Sequence, residues 1–238
     1  MTKTERTNCV MSWSGGKDSA LALYHARRDP RRQVTQLLTN VNAHHERVSM
    51  HGVRTELLVA QAQRLGLPLH QLRLPEMPSM ADYEQALGAV LAEARAQGAA
   101  EVVYGDIFLE DLRAYREQQL ARAELRGHFP LWQRSSAELL AEFWALGFRA
   151  VVVCVSEQHL DASFCGRLLD ADFVRDLPPD VDACGENGEY HSFVFDGPGF
   201  SSPVPLALGE RVRRTYPAPG EEGTEMGFWF CDLLPATL

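Results

Sequence analysis

Apolar positions along the chain alternate between short unbroken runs and a three-to-four spacing. Cys9-Val10-Met11 is the first run, and Leu21, Ala22 and Tyr24 follow it at the spacing of one helix face. That pattern predicts a strand and then a helix over about Asp18 to Arg28, ended by Asp29-Pro30, because a residue before proline avoids helical backbone. Gln33 to Val41 reads as the second strand, Thr55 to Leu65 as a helix stopped by Gly66, and Leu67 to Leu74 as a third strand. Ser79 or Asp82 is placed to cap an alanine-rich helix running to Gln97. Glu101 to Tyr104 is a short buried strand, and Asp111 to Leu125 a charged helix. The alternation predicts an α/β fold, a doubly wound parallel sheet with right-handed crossovers.

Gly127 to Trp132 breaks this rhythm, so the expected division is residues 1–126 and 127–238. Beyond it, Ser135 to Leu146 reads as a helix with Glu138 at the capping-box position, and Phe148 to Val155 as a strand. Phe164 to Leu177 reads as mostly helical until Pro178-Pro179. From Pro203 the pattern suggests short antiparallel strands between Pro- and Gly-rich turns, with Tyr216 to Gly223 as a mobile loop. A smaller α+β domain therefore closes the chain.

Two stretches carry chemistry. The first, Ser14-Gly15-Gly16-Lys17-Asp18-Ser19, lies between the first strand and its helix. Such a loop aims backbone N–H groups at an anion, and the helix N-terminus behind it adds partial positive charge. The glycine spacing and the place of the lysine are not those of a Walker loop, and the plain alternative is a glycine-rich turn. Doubly wound sheets bind ligands beyond the carboxyl ends of their strands. That rule gathers this loop, the strand end at Asn40 and the Gly105-Asp106 pair. Asp106 either orients magnesium or a polar substrate group, or caps the next helix.

The second stretch runs from Asp182 to Phe193 and holds Gly185, Glu186, Asn187, Gly188, Glu189 and His191. Carboxylates bind magnesium, orient an amine or take protons, and an amide side chain holds a carbonyl. The alternatives are a charged hairpin turn and a structural histidine.

Net charge is −9, which supplies no electrostatic reason to expect nucleic acid. The five cysteines form no Cys-x-x-Cys pair, so neither a zinc knuckle nor a dithiol motif is indicated. The longest apolar runs, such as Ala150 to Val155, are strand-sized, and the expectation is no membrane contact and a cytoplasmic location.

Ser14 to Ser19 resembles the PP-loop, Ser-Gly-Gly-x-Asp-Ser, of the N-type ATP pyrophosphatases. Asp182 to Phe193 is similar to the Asp-x-Cys-Gly-Glu-Asn-Gly-Glu-Tyr-His-Thr-Phe signature of the diphthine-ammonia ligase family, with Ser192 in place of Thr. The resemblance extends from about Asn8 to Phe200 and includes Met50-His51-Gly52, Gly105-Asp106-Ile107 and Pro130-Leu131-Trp132. It implies a nucleotide α-hydrolase-like domain followed by a smaller domain, with ATP and Mg2+ taking part. By the same resemblance Ser14, Gly15, Gly16, Lys17, Asp18, Ser19, Asn40 and Gly105 hold the nucleotide, with Asp18 touching magnesium. Asp106, Glu186, Asn187, Glu189 and His191 are the expected catalytic groups, and His51, Gly185 and Gly188 the expected substrate contacts.

The implied reaction activates a carboxylate, since a carboxylate offers an amine no good leaving group. The carboxylate attacks the α-phosphate of ATP, pyrophosphate leaves, and ammonia displaces AMP. The expected partners are a carboxylate substrate, small molecule or protein, and ammonium, with a homodimer as the expected assembly. The alanine-, arginine- and leucine-rich composition suggests a bacterial member. The rival readings are a PP-loop thiolase or lyase acting on transfer RNA, using Cys154, Cys165 and Cys184, and a nucleotide-binding sensor without chemistry.

Overall fold

The computed structural model describes residues 6–217 and 224–236. Its first strand, β1 (Thr7–Ser12), is buried from both sides: Cys9 and Met11 enter one apolar cluster and Val10 another. The chain continues through α1 (Lys17–Arg28), β2 (Arg32–Asn42), β3 (Arg47–Val48), α2 (Thr55–Leu65) and β4 (Leu69–Leu74). α3 (Met80–Ala96), β5 (Glu101–Val103), α4 (Glu110–Arg122) and β6 (Arg126–His128) complete the first sheet and its helices. β4, β2, β1, β5 and β6 lie side by side and all pair in parallel. Leu21 of α1 and Leu57 and Leu58 of α2 join one cluster, while Leu87 and Leu91 of α3 and Leu120 of α4 join the other. The sheet is thus covered on both faces, as the rhythm of the sequence predicts. Its order reverses between β1 and β5, which opens a crevice beyond their carboxyl ends.

Local signals account for most boundaries. Gly66, at φ 64°, ends α2 in left-handed backbone that glycine adopts without strain. Ser79 and Asp82 both cap α3, each side chain bonded to the other residue's backbone N–H. Two short strands were not expected. β4 fills one edge of β2 from Leu37 to Asn42, and β1 leaves the other at Leu38, so β3 pairs there with Val41 and Asn42. The turn after β3, with His51, consequently hangs over the end of β1. β6 is the second, and its pairing with β5 puts residues 126–128 in the first sheet. The expected boundary at 126 and 127 therefore falls inside a strand.

The remaining elements are α5 (Ser136–Ala145), β7 (Arg149–Ser156), α6 (Ala171–Arg175), β8 (Tyr190–Asp196), β9 (Leu206–Pro217) and β10 (Glu225–Pro235). They form an antiparallel sheet in the order β8-β7-β10-β9. The helix expected over Phe164 to Leu177 shrinks to the five residues of α6. Its first part instead lies along β7, where Val152 N–H donates to Arg167 C=O (2.8 Å) and Leu169 N–H to Ala150 C=O (2.9 Å). The tail forms two long paired strands rather than several short ones, from Pro217 opposite Glu225 to Leu206 opposite Pro235, with a one-residue register shift between Cys231 and Leu233. Tyr216 and Pro217 of the expected loop belong to β9, and positions 218–223 lie outside the described residues. Among the described residues no helix is long and apolar enough to cross a membrane.

The two sheets share a core. The larger cluster runs from Cys9 through α1, α2, β7 and β8 to Leu233 of β10. Gln61, completely buried on the apolar face of α2, sits at the junction. Its Nε2 donates to Gly15 C=O (3.0 Å) and Val194 C=O (2.6 Å), and its Oε1 accepts from Trp13 Nε1 (3.0 Å). Replacing it with leucine removes three buried hydrogen bonds, with Gly15 C=O keeping only the Val194 N–H, at about 1–3 kcal/mol for each group left unpaired before relaxation. Gln61→Leu is therefore expected to lower unfolding free energy by about 3 kcal/mol or more in urea titrations, against about 1 kcal/mol for the cap variant Ser79→Ala.

Candidate active site

The loop after β1 places Ser14, Gly16, Lys17 and Asp18 at the crevice. Gly15 takes φ +80°, a backbone region that disfavours any side chain, and a Cβ there would stand 2.7 Å from Gln61 Oε1. Gly16 N–H donates to Ser14 Oγ (3.2 Å), and Ser19 Oγ donates to Gly16 C=O (2.9 Å). Among the described residues the amides of Gly15 and Ser19 have no protein acceptor. Neither residue lines the recess between the two stretches, so the loop residues that face a ligand there are Ser14, Gly16, Lys17 and Asp18.

The second stretch folds around two acids. Asp182 accepts the N–H groups of Cys184 and Glu186, both at 3.1 Å, and the Ser136 hydroxyl at 2.6 Å. Glu189 is almost fully buried and accepts from Asp182 N–H (3.0 Å), Asn187 N–H (2.9 Å) and Asn187 Nδ2 (2.9 Å). Glu189 and the Asn187 amide group thus hold the loop together, while the Asn187 side chain stays exposed. Gly185, at φ +68°, packs where a Cβ would meet the Tyr190 ring at 2.8 Å. Gly188, at φ +89°, turns in open space. Glu186 and His191 line the recess, and Asn187 is the loop's exposed residue.

These two stretches, about 170 residues apart, are joined. Lys17 N–H donates to Ser192 Oγ (3.1 Å) and Val194 N–H to Gly15 C=O (2.9 Å). His51, on the turn after β3, lies 3.3 Å from Ser192 C=O through Nδ1 and stacks on His191 with ring centroids 4.5 Å apart. Between them is a recess of about 120 Å³ lined by Ser14, Gly16, Lys17 and Asp18 on one side and Gly185, Glu186, Gly188 and His191 on the other. At about 30 Å³ per water it has room for about four waters, which suits a phosphate chain rather than a whole nucleotide. A larger recess of about 290 Å³ lies elsewhere, lined by Thr35, Gln36, Pro68, Ala94, Gln97 and Ala99, and offers no titratable side chain.

The charges in the smaller recess are arranged in opposing pairs. Lys17 is buried, with Nζ 2.9 and 2.7 Å from the two Asp18 oxygens and 5.4 Å from the centre of the Tyr190 ring. Burial works against its charge, but the Asp18 carboxylate outweighs burial and holds the ammonium above the ordinary lysine range. Burial pushes Glu186 up to about 7, helped by Asp18 and Asp106 and opposed by the Ile107 N–H that its Oε1 accepts at 2.8 Å. His51 is lowered to about 4 and His191 also well below 6.5, chiefly by burial and with Lys17 nearby, so both imidazoles are neutral at pH 7.

Asp106 does not cap the next helix, since α4 begins at Glu110 with Leu109 in the cap position. Burial raises its pKa against the influence of Arg116, whose Nε is 2.8 Å from Oδ2. That contact is out of hydrogen-bonding line, and both atoms are buried without an aligned partner. Magnesium takes one or two carboxylates and leaves its other positions to phosphate oxygens and water. Asp18 and Glu186 line the recess and Asp106 does not, its Oδ2 lying beside the Arg116 guanidinium, so the three carboxylates are not gathered into one ion site.

Gly105 packs so closely that a Cβ would sit 2.7 Å from the Asp18 carbonyl carbon, which fixes the end of β5 against the first turn of α1. Asn40 is set apart: its Nδ2 reaches Tyr83 Oη at 3.5 Å and it does not line the recess. Sequence reasoning missed Gln61, Arg116, Ser192 and Asp182 as parts of the site. A glutamine on an otherwise apolar helix stripe was the available signal for Gln61. Arg116 carried none, being one charge among many on α4.

Residues 7–125 match the diphthamide synthase N-terminal domain, and residues 135–215 match the diphthamide synthase C-terminal domain. A Danio rerio protein named diphthine-ammonia ligase is 27% identical over 169 residues, covering 63% of this chain and 65% of that protein. Proteins of the same name from Rattus norvegicus and Mus musculus are each 30% identical, over 116 and 122 residues. Those matches cover 47% and 49% of this chain and 43% and 46% of the relatives. The chain thus spans less than two thirds of the length of each.

The raised Glu186 gives a signed expectation for stability. An unfolded chain releases this proton near 4.5, whereas the folded chain keeps it until about 7. Folding therefore binds the proton more tightly, and stability falls as pH rises from about 4.5 to about 7, then levels. The melting temperature of wild type relative to Glu186→Gln is expected to decline across that window, and a difference constant with pH would refute the assignment.

Proposed function

Because the chain belongs to the diphthamide synthase family, we propose that it is an ATP-dependent carbon-nitrogen ligase that adenylates a carboxylate and then forms an amide with ammonia. The observation that carries this reading is the joining of the two stretches, Lys17 N–H on Ser192 Oγ and Val194 N–H on Gly15 C=O, around one recess. One wall then serves the leaving group and the other the acceptor.

In the first step a carboxylate oxygen of the acceptor attacks the α-phosphorus and the bridge to the β-phosphate breaks. The buried Lys17 ammonium and the Ser14 hydroxyl, which line the recess, receive the negative charge that develops on pyrophosphate. The loop that carries these donors is already fixed by Ser14, Gln61 and Ser192, so little reorganisation is needed as the charge forms. Bound magnesium would share that charge, with Asp18 as the carboxylate beside the loop that would hold it. In the second step the ammonia nitrogen attacks the acyl carbon and AMP departs. Ammonium must first lose a proton, and Glu186, poised near neutrality, is the base within the recess. The names of the relatives point to diphthine as the first acceptor to assay.

Thiol chemistry has no support in the geometry. Cys154, Cys165 and Cys184 are all buried, Cys154 is coupled to Cys165, and Cys184 lies by Lys17. Burial raises all three, Cys165 and Cys184 to about 12, so they are protonated thiols at pH 7.

The test supplies ATP, magnesium and ammonium with a panel of carboxylates led by diphthine, and follows the nucleotide products. AMP and pyrophosphate in equal amounts, formed only with an acceptor, are expected; ADP and phosphate would overturn adenylation, and ATP binding without turnover would favour the sensor. Lys17→Met is expected to lower kcat by about 10²–10³-fold, the usual effect of removing one preorganised donor.

A further inference from the structure

Away from the recess, a second group of metal-ligating side chains stands on two loops at the carboxyl edge of the first sheet. We propose that His44, His45 and Glu76 form a binding site for a divalent transition-metal ion of the zinc type, which fastens the β2–β3 turn to the β4–α3 loop. The ligating atoms of all three lie within 4.8 Å of one another. His45 Nε2 is 2.7 Å from Glu76 Oε1, and the two imidazoles sit edge to face with centroids 4.8 Å apart.

The turn is built to hold consecutive imidazoles on one side. Asn42 Oδ1 accepts both the His44 N–H (2.9 Å) and the His45 N–H (3.1 Å). Glu46 closes the turn in left-handed backbone at φ 51°; its C=O accepts Thr55 N–H at 3.0 Å, and its carboxylate pairs with Arg73 of β4. Metal binding therefore has little backbone to order.

An exposed His–Glu hydrogen bond alone would be an ordinary surface pair worth about 0–1 kcal/mol. His44 is what sets this group apart. Among the described residues neither of its ring nitrogens has a hydrogen-bond partner, yet its ring is held against the pair. Two imidazole nitrogens and one carboxylate are a donor set for zinc and its neighbours, whereas magnesium and calcium take oxygen. Tetrahedral zinc at about 2.0–2.1 Å from each ligand needs donors about 3.4 Å apart. All three side chains are exposed, so no packing opposes their closing from within 4.8 Å to that spacing, with water in the fourth position. The metal would brace the hairpin that carries His51 over Gly16, a role independent of the ligation reading.

The test titrates the full chain with ZnCl2 by calorimetry and, in parallel, with CoCl2 by visible absorption. One zinc-binding site is expected to weaken by about tenfold or more in His44→Ala, His45→Ala and Glu76→Gln, with loss of the cobalt bands. Circular dichroism of each variant is expected to match wild type, because the three residues are exposed. Absence of saturable zinc binding overturns the proposal. So does zinc binding that persists unchanged in the His44→Ala, His45→Ala double variant, which would place the ion on His51 and His191 instead.

Discussion

The site depends on where the Gly15 carbonyl goes. A loop that receives an anion must point amides inward and carbonyls away, because an oxygen dipole facing a phosphate would cancel the benefit of the N–H groups. Gly15 achieves this with φ +80°, which sends its C=O to Val194 N–H and the Gln61 carboxamide and leaves its own N–H open. The carbonyl is buried, so those partners are obligatory. They come from β8 and α2, which explains why the loop cannot take its shape in the first sheet alone. The same contacts bring Ser192 onto the first turn of α1 and close the recess.

Charge in that recess is balanced before any substrate arrives. Lys17 is matched by Asp18, Asp106 faces Arg116, both imidazoles are neutral, and Glu186 is half protonated near pH 7. A polyphosphate therefore enters a region with donors but little net charge. On the proposed function, its negative charge would favour retention of the Glu186 proton, at about 4 kcal/mol per unit-charge contact at 4 Å and an effective dielectric of about 20. Departure of pyrophosphate would release that hold. Glu186 would then shed its proton more readily, so a larger share of it would stand as free carboxylate when ammonium needs to lose a proton, which couples the two steps through electrostatics without a moving part.

Patterns with a short physical range were legible in the sequence. Strand and helix alternation, the loop between β1 and α1, and the caps at Ser79 and Ser135 each follow from a few neighbouring residues. Features decided by distant packing were not. β6 has three residues, Arg126-Gly127-His128, with no apolar run to betray them, and exists because β5 offers an edge. The Phe164 to Leu177 segment has helical composition, but β7 offers backbone partners at Val152 and Ala150 and takes its first half. Likewise the joining of Gly15 to Val194 is a backbone event that no side-chain pattern records.

Glu186 and Glu189 make the same point within one loop. They are the same residue type three positions apart, and the sequence treats them alike. Left-handed backbone at Gly185 and Gly188 reverses the chain around them, so that Glu189 turns into the loop and Glu186 toward the recess. Glu189 is held by two backbone amides and the Asn187 carboxamide, which take three of its carboxylate's roughly four lone-pair positions. Glu186 accepts one amide through Oε1, which leaves a second oxygen for chemistry. The hydrogen-bond inventory, rather than residue type or motif position, therefore separates the acid that builds the loop from the acid that the loop was built to present.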